Sequence, residues 1–149
     1  MLAITRDGKR GYTSNVGPGT VSVLDLQARK MVAVIPVSRK AQRISLSVDD
    51  RMAFTADQTS PRLAVIDTSS NQVTYWGSLR GTGYGAAPTF DGRWLLVAVP
   101  KAGKVAVVDL RTLLVSRSID VQARRKRSWS VPITRWPTSP ATPAARLPR

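Results

Sequence analysis

Val21-Ser22-Val23-Leu24-Asp25-Leu26 decides the fold, because it returns twice, as Leu63-Ala64-Val65-Ile66-Asp67-Thr68 and as Val105-Ala106-Val107-Val108-Asp109-Leu110. Both intervals are 42 residues, without a gap. Asp7-Gly8, Asp49-Asp50 and Asp91-Gly92 recur at the same interval, as do Tyr12, Phe54 and Leu96, and Met31, Val73 and Val115. Four independent markers sharing one period define a tandem repeat, and such a period is read before any single element.

Each repeat contains four short strands. The first is Ile44–Val48, matched by Leu2–Arg6, and it ends at the Asp-Gly or Asp-Asp pair. That pair suits a tight hairpin, since Gly takes positive φ freely and Asp bonds to nearby backbone. The second strand is Gly11–Asn15, Ala53–Asp57 or Leu95–Val99, and the third is the segment quoted above. The fourth runs through Met31–Val37 and its counterparts. No window carries a sustained apolar repeat at helical spacing.

In Leu63–Ile66, alternate side chains are apolar on both faces, as expected of a strand lying between two sheets. The fourth strand is more polar, with Thr74, Ser116, Arg117 and Ser118, which suits an outer edge that must discourage stray pairing. Four strands in a repeat of some forty residues predict a blade of a β-propeller. The expected fold is therefore all-β: three four-stranded blades at about 1–37, 38–79 and 80–122, in a ring that does not close. Three blades leave two terminal faces without a neighbour, so self-association through open blade faces is expected.

Asp7–Val37 closely resembles the YVTN-family β-propeller repeat of bacterial and archaeal proteins, whose pattern joins an Asp-Gly-Lys turn to a Tyr-Val-Thr-Asn strand, a Val-Ser-Val-Ile-Asp strand and a strand ending Ile-Pro-Val. Tyr12-Thr13-Ser14-Asn15 departs from it at two places, and Phe54-Thr55-Ala56-Asp57 and Leu96-Val97-Ala98-Val99 drift further. The resemblance covers residues 2–122. It implies a seven-bladed or similar ring of an exported, periplasmic or extracellular protein, with surface-layer and lactonase-like relatives. It does not imply one activity, since one fold hosts many.

Composition narrows the chemistry. The chain has no His, Cys or Glu, which excludes imidazole ligation, thiolate nucleophiles and a Ser-His-Asp triad. All nine carboxylates are Asp, and six of them (Asp7, Asp49, Asp91, Asp25, Asp67 and Asp109) occupy equivalent repeat positions, where each blade needs a turn. Asp50, Asp57 and Asp120 remain; Asp57 reads as a cap on the loop after its strand, with cation or sugar binding at the ring opening as the alternative. Gly81-Thr82-Gly83-Tyr84-Gly85 lacks the Lys-Ser/Thr and the helix of a phosphate loop, and reads as a flexible inter-blade connection. The basic stretch Ser38–Arg43 takes the same position and reads as a solvated loop, with an acidic partner as the alternative. No catalytic, cofactor-binding or metal-ligating residue and no cofactor is assigned. The expected role is a non-catalytic segment of a ligand-binding or scaffold protein, with an unknown ligand or protein on a propeller face. The alternative is part of a lactonase-like hydrolase whose active site lies in other blades.

Net charge is +14, but it is unevenly spread. Sixteen of the 23 Lys and Arg lie in residues 1–122 with all nine Asp, and the other seven lie in 123–149 with none. Half the net charge thus comes from a basic, Pro-rich tail, expected to be disordered, and nucleic-acid binding is not expected. No apolar run is long enough for a membrane span, and Met1–Arg10 shows no export signal. The tail also fits a slipped reading frame. Back-translated and regrouped by one base, an allowed choice of codons gives a fourth repeat, with Asp at position 133, Tyr at 138 and Lys-Val-Ala at 146–148.

Overall fold

The computed structural model describes residues 1–121. The expectations of disorder or of a frame-shifted fourth blade in 123–149 lie outside the described residues. The chain runs β1 (Leu2–Ile4), β2 (Arg10–Asn15), β3 (Thr20–Asp25), β4 (Lys30–Pro36), β5 (Ala41–Leu46) and β6 (Met52–Asp57), then β7 (Arg62–Asp67) and β8 (Gln72–Ser78). It continues through β9 (Ala86–Pro88), β10 (Trp94–Val99), a 3-10 turn at Pro100–Ala102, β11 (Lys104–Asp109) and β12 (Leu114–Asp120). These strands form three antiparallel four-stranded sheets, ordered β1-β2-β3-β4, β5-β6-β7-β8 and β9-β10-β11-β12. They are three blades of an open ring.

The 42-residue period passes directly into coordinates. β2, β6 and β10 begin at 10, 52 and 94, and β3, β7 and β11 begin at 20, 62 and 104. Even the irregularities repeat. In each blade the ladder between third and fourth strands slips by one residue, at Val23/Leu24, Val65/Ile66 and Val107/Val108. Val32, Thr74 and Ser116 are the residues left out of the ladder. A bulge of this kind bends its strand and adds twist.

The first strands differ from the sequence reading. β5 starts earlier than expected, with Ala41 pairing to Asp57 across an irregularity before Ile44. It stops at Leu46 because Ser47 enters the turn, where its hydroxyl donates to Asp49 at 2.6 Å and accepts the Met52 amide at 2.9 Å. β1 shortens for the same reason. Thr5 bonds to Asp7 at 2.7 Å and accepts the Arg10 amide at 3.0 Å, which takes it out of the ladder.

Two cores separate the three sheets. Tyr12, Val21, Val23 and Ile35 of the first blade meet Ile44, Ala53 and Ile66 of the second. Phe54, Leu63 and Val65 of the second meet Leu95, Val97, Ala106 and Val108 of the third. Leu63 and Ile66 thus serve opposite cores from one strand, as the doubly apolar pattern predicts. The fourth strands lie at the sheet edges; β4 and β12 are largely exposed and β8 is about half-buried.

Blade 1's outward face shows what a missing neighbour costs. Leu2 is 53% exposed, whereas Ile44, its equivalent 42 residues on, is 5% exposed against blade 1. Ile4, Met31 and Val34 lie open on the same face. On the other side Leu96 is 37% exposed, while its equivalents Tyr12 and Phe54 are fully buried.

Candidate functional site

The six repeated carboxylates are occupied locally. Asp7 accepts the Lys9 amide at 3.0 Å and the Thr5 hydroxyl, Asp49 the Arg51 amide at 3.2 Å, and Asp91 the Arg93 amide at 3.1 Å together with the Thr89 hydroxyl. Asp25 and Asp109 cap their turns through the amides of Ala28 and Arg111, both at 2.8 Å. Asp67 has the richest set, accepting the amides of Ser69 at 3.0 Å and Ser70 at 2.7 Å and both their hydroxyls. These bonds, the Ser69 hydroxyl first, hold its carboxyl at about 2.

Of the non-repeated acids, Asp57 is buried and fully engaged. It accepts the Thr59 amide at 2.9 Å, the Thr59 hydroxyl at 2.8 Å and the Ser60 hydroxyl at 2.6 Å. Burial opposes its ionisation, but these bonds outweigh burial and its pKa is lowered. It staples the β6–β7 loop. Asp120 pairs with Lys104 at 3.3 Å across the β11–β12 ladder. Among the described residues, no group of three His, Cys, Asp or Glu could hold a metal, and no helix is long and apolar enough to cross a membrane.

Ser38–Arg43 and Gly81–Gly85 come together. Arg43 lies within β5 rather than in a loop, and its guanidinium sits 4.5 Å from the Tyr84 ring centroid. The Gly segment connects the second and third blades, with Tyr84 at the surface as expected, and it packs closely at one position. A Cβ on Gly83 would stand 2.6 Å from the Ala56 Cβ and 2.8 Å from Leu79 Cδ1, so this glycine is there for close approach between blades.

A second convergence escaped the sequence reading. A crevice of about 680 Å³ between the first and second blades is lined by Arg6, Lys9, Arg10, Tyr12, Asp50 and Thr68, among others. Several of these residues break the repeat. Arg10 stands where later blades have Met52 and Trp94, and Tyr12 where they have Phe54 and Leu96. Thr68 replaces Leu26 and Leu110, and Asp50 replaces Gly8 and Gly92. Asp50 keeps the glycine conformation, with φ +59° against +68° and +67°. Its carboxylate accepts the Arg6 amide at 2.8 Å and lies 3.6 Å from the Arg6 guanidinium, while its carbonyl accepts the Thr68 hydroxyl at 2.8 Å. The Tyr12 hydroxyl is buried and without a hydrogen-bond partner. Burial raises its pKa, opposed by the charge of Arg10 and by the approach of the Thr68 and Arg10 side chains, which stand near the hydroxyl without reaching hydrogen-bond geometry.

No protein-family model matches the chain, and no curated protein is significantly similar to it in sequence. Solved structures do match in shape. Hydrazine synthase of Kuenenia stuttgartiensis superposes with a TM-score of 0.76 at 19% identity, over 80% of this chain and 34% of that one. The dihydro-heme d1 dehydrogenase NirN, solved in complex with DHE, superposes with a TM-score of 0.66 at 17% identity, over 81% of this chain and 28% of that one. Both are β-propeller proteins, and the likeness establishes the propeller fold. The chain spans about a third of the length of the solved chains it matches.

Proposed function

We propose that this chain is a three-blade, non-catalytic part of a binding or scaffold propeller of the YVTN kind, from a longer exported protein. The observation that carries this reading is the occupancy of the carboxylates. Each of the six repeated Asp spends oxygen lone pairs on its own turn, and Asp57 spends its own on a loop. A general acid or base must instead present its carboxyl to a substrate. The test is turnover of lactones by the purified full chain against a denatured control, with Asp57→Ala as the variant. No turnover above the control is expected. Activity abolished by Asp57→Ala would establish the hydrolase alternative.

The open faces support a second element of this reading, that the ring is completed by further blades or by another copy of the chain. Blade 1 presents outward the positions that blade 2 buries against blade 1, and blade 3 those that blade 2 buries against blade 3. A second copy offers each face the surface it lacks, in a head-to-tail contact that can close on itself. Each large apolar side chain so covered contributes roughly 1.5–3 kcal/mol. Sedimentation of the full chain should show a species larger than one copy. Val34→Lys, on the outward face of blade 1, should shift it towards a single copy. A monomer with a sharp cooperative melt would sink this part of the proposal.

A further inference from the structure

In a repeat protein, a residue present in every copy serves what every copy needs. Residues that leave the pattern and meet in one place have another reason to be there. Arg10, Tyr12, Asp50 and Thr68 leave the pattern, come from both blades and line one crevice. The Tyr12 ring fills the position that Phe54 fills one blade later, so packing accounts for the ring but not for the hydroxyl. That hydroxyl is buried without a partner, a state that polar groups rarely keep in the absence of a ligand or water.

The polar groups around it are not equally available. The carboxylates of Asp7, Asp49 and Asp50 are engaged by Thr5 and the Lys9 amide, by Ser47 and the Arg51 amide, and by Arg6. Arg6 is itself paired with Asp50. Among the described residues, neither Lys9 nor Arg10 forms an ion pair. Each of these carboxylates has one oxygen engaged and one free of hydrogen bonds, whereas Lys9, Arg10 and the Tyr12 hydroxyl have none of their polar side-chain atoms engaged, which leaves two cationic donors and one hydroxyl donor. A guanidinium, an ammonium and a phenol together match the oxygens of a carboxylate or phosphate.

We propose that this crevice binds a small oxyanion-bearing ligand, its carboxylate or phosphate group held by Arg10, Lys9 and the Tyr12 hydroxyl. Asp50 fixes the crevice wall by tying the Arg6 turn of blade 1 to blade 2. The site belongs to the interface of two blades present in this chain, so it does not depend on what completes the ring.

The repeat supplies its own control substitutions. Tyr12→Phe and Arg10→Met install the residues found at the equivalent positions of blade 2, Phe54 and Met52. Lys9→Ser changes an exposed position outside the core. Binding to the full chain is measured at about 150 mM salt, where distant charges are screened, by line broadening of the phosphorus resonance of inorganic phosphate and by calorimetry with citrate. Saturable binding of at least one anion is expected, phosphate alone indicating a phosphate-bearing ligand and citrate alone a carboxylate. Tyr12→Phe should weaken it by about tenfold or more, the worth of a hydrogen bond to a charged group. Arg10→Met and Lys9→Ser should weaken it as well. Tyr12→Phe keeps every charge, including those of residues 123–149, so nonspecific attraction cannot produce its loss. If neither anion binds, or if Tyr12→Phe binds as the native chain does, the proposal is overturned.

Discussion

Asp50 holds the Arg6 amide of the neighbouring blade at 2.8 Å from a backbone conformation that glycine occupies in the other two blades. A carboxylate at that corner costs backbone energy and gains a link between blades. The two effects separate experimentally. Asp50→Gly and Asp50→Ala both lose the link, and only Ala retains the strain of positive φ. Asp50→Ala should be the less stable of the two by about 1 kcal/mol. Asp50→Asn, which tolerates this φ and can still accept the amide, should stay nearest the native chain. Urea midpoints of the full-length variants give the order. A Gly variant as stable as the Asn variant would mean the Arg6 contact contributes nothing.

Gly83→Ala tests close approach between blades 2 and 3. The added methyl would meet Ala56 and Leu79 well inside contact distance. Overpacking of this kind should cost about 1–3 kcal/mol. A substitution without effect on the midpoint would restore the reading of this segment as a flexible connection.

Repeat-equivalent truncations should differ by position in the ring. Phe54→Ala empties a fully buried site and should cost about 3–5 kcal/mol. Leu96→Ala, at the same place on the terminal blade, should cost well below that in dilute solution. Its cost should grow with protein concentration if a second copy covers that face. Denaturant midpoints at several concentrations supply the comparison.

Acid sensitivity should be traceable to the turns. Asp67 has its carboxyl lowered from 3.8 to about 2 by hydrogen bonds from Ser69 and Ser70. Its folded pKa lies below the unfolded one, so the stability it contributes is fully present above about pH 4 and is lost as pH falls towards 2. Asp67→Asn should therefore flatten the fall in thermal midpoint between pH 4 and 2. A fall as steep as the native chain's would leave the Asp67 turn with no part in acid stability. Asp7, Asp49 and Asp91 are shifted in the same direction and keep the variant's slope above zero.

Much of the fold was legible because the repeat states it three times. Leu63–Ile66 reads as a strand between two sheets from its alternation alone, and Leu63 and Ile66 do enter opposite cores. Strand ends were less legible, because Thr5 and Ser47 prefer side-chain bonds in the turn to places in the ladder. Gly81–Gly85 does connect two blades with Tyr84 at the surface, but the close packing at Gly83 was not legible, because glycine looks the same whether it is kept for freedom or for space. The crevice around Tyr12 was written in the sequence as a contrast between repeats. Arg10 against Met52 and Trp94, and Thr68 against Leu26 and Leu110, are polar departures at otherwise apolar positions. Their meeting across two blades requires the fold, since Tyr12 and Thr68 are far apart along the chain.

The one-residue slip between third and fourth strands recurs at the same repeat position in every blade. Each 42-residue block therefore carries its own geometry, bulge included, and hands the next block the same docking surface. Recombination between tandem copies of the coding sequence can add or remove a whole block in register, although contacts particular to one junction, such as Asp50 with Arg6, are not carried to the new one. Removing one residue beside the bulge is far more damaging, because every later side chain of that strand changes face. Ring size can thus drift between lineages by whole blades, while selection on small deletions holds the interior of each blade fixed.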